Sequence, residues 1–161
     1  MELKADVKGD ILDLLRASKN GEITLKDGAS LREVKKIIYS DRVKAGRLEL
    51  PSLWMVADSY QPQALNNRIE IHDLPYWFVV LVKDRKIEQG KEVAESIVAK
   101  VCDLLLDNRA VISCLDIIPE KVDLAYNRSD RNHVFWPDTK KNVYWSAVKI
   151  LFRVRRIYYE L

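Results

Sequence analysis

Apolar residues recur along the chain at two spacings, one helical and one alternating. Val7, Ile11, Leu14 and Leu15 share one face of a helix predicted over about Lys4–Ser18, which Asn20-Gly21 ends. Ser30 and Glu33 have the spacing of a capping box. They predict a second helix running to about Lys44, with Leu31, Val34, Ile37 and Ile38 turned to the core and Gly46 behind it. The clearest helical stripe is Val93, Ile97, Val101, Leu104 and Leu105, predicting a helix over Glu88–Asn108. Asn108 and Arg109 suit its C-terminal end.

Strand patterns fill most of the remainder. "GEITLKDG" reads as an extended piece closed by an Asp27-Gly28 turn, and "SLWMVADSY" after Pro51 has strand composition. Tyr76–Val82 is nearly all apolar, as expected of a strand covered on both faces. Pro75 is expected to mark its start, because proline cannot serve a central ladder. "CLDII" and "KVDLAY" read as two strands broken by Pro119. Near the end, Val148, Ile150, Phe152 and Val154 alternate with Lys149, Leu151, Arg153 and Arg155, a closing strand with one oily and one largely basic face.

Strands thus arrive in adjacent runs, which predicts an α+β fold: a mostly antiparallel sheet packed against a long amphipathic helix, with additional N-terminal helices. At 161 residues one domain is expected, with an N-terminal helical part (1–50) and a sheet-and-helix core (51–161) from which 127–142 protrudes.

Charge changes this picture little. Lys and Arg outnumber Asp and Glu by 27 to 24, too small a bias to argue for nucleic acid without a clustered basic face. No apolar segment at the N-terminus reads as a secretion signal and no run is long enough to span a bilayer, so a cytosol-like compartment is expected. There Cys102 and Cys114 are expected as reduced thiols, and the Asn127-Arg128-Ser129 acceptor triplet carries no meaning.

Little in the chain points to catalysis. His72 and His133 are sixty-one residues apart, and no Cys-x-x-Cys or His-Glu-x-x-His suggests a metal. The five glycines are scattered singly, so no loop cradles a phosphate. Glu33-Val34-Lys35 has the letters of a metal-dependent nuclease, but the predicted helix denies it the strand geometry that would aim Lys35 at a phosphate. No catalytic, cofactor-binding or metal-binding residue is assigned, and no cofactor is expected.

The aromatic residues carry the remaining signal. Trp54, Trp77 and Phe78 sit in apolar strands and are expected in the core, whereas Phe135 and Trp136 lie in a polar excursion and read as a loop anchor or a partner contact. Tyr126, Arg131 and Phe135 could also serve single-stranded nucleic acid. Arg131, Phe135, Trp136, Lys149, Arg153 and Arg155 are therefore the candidate subunit or partner interface.

The second half of the chain resembles a known family. The helix ending "VCDLLLDNRAV", the "VDLAY" strand and the closing "YWSAVKILFRVRR", with Tyr144, Ala147, Lys149-Ile150, Phe152 and Val154 in step, look like the tail terminator proteins of long-tailed bacteriophages and their neck and tail-completion relatives. The resemblance covers roughly residues 50–157; it lacks the family's glycine after the helix and has two N-terminal helices where one is expected. It implies a structural virion protein, assembled in the host cytoplasm, that forms a ring, typically a hexamer. The ring ends the tail tube and meets the head or neck. Its partners would be further copies of itself, the tube protein and a head-closure protein, with DNA passing through the lumen and no membrane. Another neck or baseplate protein is the alternative within that class. A nucleic-acid-binding module or a metal-dependent nuclease is the alternative outside it.

Overall fold

The computed structural model describes residues 6–40, 49–58, 63–64, 69–84, 86–120 and 143–157. The fold is α+β, and its strands form one mixed sheet in the order β1-β2-β4-β6-β5, with the two-residue β3 beside β4. The strands are β1 (Lys36–Ser40), β2 (Ser52–Ala57), β3 (Gln63–Ala64), β4 (Ile69–Lys83), β5 (Asp116–Glu120) and β6 (Val143–Ile157). Only β1 and β2 run parallel; the other pairings are antiparallel. Two helices, α1 (Val7–Lys19) and α2 (Ile87–Asp107), complete the described secondary structure apart from a 3₁₀ turn after α2.

Helix α1 forms where its apolar spacing places it. The Asp6 side chain accepts from the Gly9 amide at 3.1 Å to cap its start. At its end Gly21 takes φ 78°, Gly21 N–H donates to Ser18 C=O and Glu22 N–H to Ala17 C=O. This pair of bonds makes a Schellman stop, which needs the left-handed residue that glycine supplies.

The second N-terminal helix does not form. Val34 N–H closes a single turn onto Leu31 C=O, and the chain then enters β1. Ile37 and Ile38, placed together on one helix face by the 3.6-residue reading, lie on opposite faces of the sheet: Ile37 packs on the helix-side core and Ile38 on the other. The capping box is absent too. The Leu31 amide bonds the buried Ser18 hydroxyl, and the Glu33 carboxylate reaches Lys100 on α2 at 2.7 Å. Two β-branched isoleucines followed by tyrosine favour the strand, and β2 offers it a ladder that an isolated helix would forgo.

Both helices cover one face of the sheet. Buried Ala94, Ile97, Val101, Leu104 and Leu105 of α2 join Leu53, Met55, Phe78, Val80, Ile150 and Phe152 in the main core. Gly90 lets α2 approach closely, because a Cβ there would fall 2.3 Å from the Tyr144 ring. Asn108 ends the helix by giving its side-chain amide to Leu104 C=O at 2.8 Å. On the opposite face Trp54, Val56, Trp77, Val79 and Leu81 form a second buried cluster. The Tyr76–Val82 run is therefore a central strand with an apolar layer on each side, as its composition demands.

Pro75 is inside β4 rather than at its start. Its carbonyl accepts from Asp58 N–H at 3.0 Å, so its missing amide also points toward the β2 side, one residue beyond β2's last strand position. The ladder to β6 does not use that amide and continues unbroken, Pro75 opposite Leu151. Pro119 likewise sits within β5, the edge strand among the described residues, where proline is tolerated. The expected strand 121–126 and excursion 127–142 lie outside the described residues.

Candidate interface on the closing strand

β6 pairs with β4 over its whole length, from Val143 opposite Lys83 to Ile157 opposite Ile69. Its alternation sends Val148, Ile150, Phe152 and Val154 to the helix-side core, while Trp145 and Ala147 join the second cluster. Lys149, Leu151, Arg153 and Arg155 continue that second face.

The basic residues on it are not a bare positive stripe. Lys149 lies directly between Trp77 and Glu120 in register; its Nζ is 3.6 Å from Asp58 Oδ2, 3.8 Å from Glu120 Oε2 and 5.8 Å from the centre of the Trp77 ring. Trp77 Nε1 donates to the same Asp58 carboxylate at 2.9 Å. Arg153 lies between Asp73 and Asp116 and grips Asp73 with two bonds, Nε to Oδ1 at 2.8 Å and an η nitrogen to Oδ2 at 3.1 Å. That two-pronged bond raises the Arg153 guanidinium above its ordinary value, so it stays charged throughout the working pH range. Arg109, beside Asp116 at 3.1 Å, extends the row, and Arg155 is exposed.

Opposite charges across adjacent strands stabilise pairing and fix register. They also leave this face close to neutral, and phosphate would have to compete with carboxylates already in place. Of the six residues singled out from sequence, Lys149, Arg153 and Arg155 thus share one face of one strand, while Arg131, Phe135 and Trp136 lie outside the described residues. Sequence reading missed Asp58, Asp73, Asp116 and Glu120 as their partners. The signal was present only in the register, since opposite charges meet across strands rather than along them.

Glu33 and Lys35 flank buried Val34 in a turn ahead of β1, and Glu33 is engaged by Lys100. Among the described residues no group of three or more His, Cys, Asp or Glu is placed to hold a metal ion, and no helix is long and apolar enough to cross a membrane. No protein-family model matches the chain, and no curated protein matches it in sequence.

Cys102 and Cys114 are both free thiols, half-buried. Burial, followed by the neighbouring Asp103 carboxylate, pushes the Cys102 thiol up to about 11, so at neutral pH it is protonated and unreactive. A value raised on folding stabilises the fold fully below the unfolded value, and the contribution is lost as pH climbs to the folded one. Stability is therefore expected to fall between pH 9 and 11, and the fall should be shallower in Cys102→Ala. Denaturant midpoints of both proteins across that window check it.

Proposed function

We propose that this chain is a structural protein of a bacteriophage tail, forming a ring that terminates the tail tube and joins it to the head or neck. The observation that carries the reading is β6. The whole Tyr144-to-Val154 pattern that resembles the closing strand of tail terminators lies in one uninterrupted strand, packed against α2 on one side and ion-paired on the other. A sheet sealed on its helix side and neutralised along the outer face of its closing strand suits a scaffold that meets other proteins and lets DNA pass without holding it. The proposed partners are copies of itself, the tube protein and a head-closure or neck protein, and the place of action is the virion. No catalytic step and no cofactor enter this reading.

Light scattering on the free protein, followed by electron microscopy with tail tubes, tests it. The expected result is a closed ring, six subunits in the simplest case, that caps tubes and limits their length. A strict monomer that leaves tubes uncapped overturns the reading. Tight binding of short DNA that weakens steeply with salt would favour a nucleic-acid-binding module instead. Cleavage of plasmid with Mg²⁺, abolished in Glu33→Ala, would favour the nuclease.

A further inference from the structure

Among the described residues the sheet ends on β1 at one side and β5 at the other, and the two edges match each other. Among the described residues β1 pairs only with β2, and β5 only with β6. Each is five residues long. Direction reverses from β2 to β4, from β4 to β6 and from β6 to β5, while β1 keeps the direction of β2. β1 and β5 therefore run in opposite senses. If the sheet continues from one copy into the next with the helices on the same side, β1 of one copy meets β5 of its neighbour antiparallel.

The side chains agree with this continuation. Opposing Lys36 to Glu120 sets opposite charges face to face on the side away from the helices. The same register opposes Ile38 to Ile118, both half-buried, and Ser40 to Asp116. Glu120 and Asp116 keep 41% and 43% of their side chains exposed beside their internal cations, so both remain reachable.

The backbone agrees as well. Ile117 N–H is taken by the carboxylate of its own neighbour Asp116 at 2.9 Å, so it turns away from β6 toward the open edge. Pro119, two residues on, turns the same way, and its missing donor costs the β6 ladder nothing. In a strand of opposite direction at the opposite edge, residues on the same face also turn outward; in β1 these are Ile37 and Tyr39. The register that pairs Lys36 with Glu120 places Tyr39 opposite Ile117 and Ile37 opposite Pro119. It allows Tyr39 N–H to Ile117 C=O and Ile37 N–H to Pro119 C=O, and Ile117 N–H reaches Tyr39 C=O by exchanging its bond to the Asp116 carboxylate for it. Tyr39 is 39% exposed, on an edge that carries no proline to block pairing.

We infer that copies of this chain associate head to tail by pairing β1 with β5 of the neighbour, so that one continuous sheet runs around the assembly. The two partners are different edges of the same chain, which makes the contact heterologous, the type that closes into a ring when the rotation permits. This deepens the proposed ring and rests on it only for the closure, not for the contact.

The test uses the full chain in a Cys102→Ser, Cys114→Ser background. Ile38→Cys and Ile118→Cys chains, mixed, should form a disulfide-linked dimer under mild oxidation, and neither should do so alone. A chain carrying both should give a ladder of linked species. Ile38→Cys mixed with Pro119→Cys, whose side chains fall on opposite faces, is the control. Lys36→Glu or Glu120→Lys should each weaken association about tenfold or more, and the two together should restore most of it. Cross-linking no faster than the control, or association indifferent to both reversals, overturns the pairing. An oligomer without the cross-link sinks the pairing and spares the ring, whereas a monomer at every concentration sinks both. Linked chains that fail to cap tubes support the pairing and sink the terminator role.

Discussion

Replacing Phe152 with alanine is expected to cost about 3–5 kcal/mol of stability, the largest loss from any single side chain of the closing strand. Phe152 is 0% exposed at the centre of β6, opposite Leu74 on one side and Ile117 on the other. Its ring meets Tyr76 at 5.8 Å and Phe78 at 6.4 Å, both edge to face, so truncation removes favourable ring contacts as well as apolar area. The cavity would open where strands from β4, β5 and β6 converge, and three hydrogen-bonded strands cannot collapse into it without losing their ladders. Urea unfolding measures the loss. A midpoint within experimental error of the unchanged protein would mean that β6 is not the inner strand described.

Ile97→Ala should cost about 2–5 kcal/mol by the same measurement. Ile97 is 0% exposed midway along α2, and with Ala94, Val101, Leu104 and Leu105 it forms the stripe by which α2 lies on β4 and β6. Alanine has the better helix propensity, so the helix itself gains a few tenths of a kcal/mol. The expected loss is therefore a packing loss opposed by a small local gain. The exposed neighbour provides the contrast: Glu95→Ala, on the solvent side of the same helix, should change stability by less than about 0.5 kcal/mol.

How far the sequence disclosed all this depends on the distance over which each decision is made. Helix α1, its glycine stop and the Ile97 stripe are decided within a few turns, and their spacing was readable. The double-faced strand was readable as well, because Trp77 to Leu81 has no polar side to show to water. Leu31 to Ser40 was misread because one buried turn, Leu31 to Val34, imitates the start of a helix, while the next residues are claimed by β2, more than ten positions further on. Pro75 misled for a related reason: whether its missing amide matters depends on where the neighbouring strand ends. The ion pairs of the closing strand were beyond reach altogether, since Arg153 finds Asp73 eighty residues away and only the register brings them together.

The two buried clusters have a consequence for how this chain can vary. From Trp77 to Leu81 every position faces one core or the other, so a scan of all substitutions should show an unbroken block in which no charge is accepted. Along β6 from Lys149 onward, acceptance should instead flicker with a period of two, closed at Ile150, Phe152 and Val154 and open between them. Mutational drift can therefore remodel the outer face of the closing strand residue by residue, while its central neighbour can change only by exchanging one apolar shape for another.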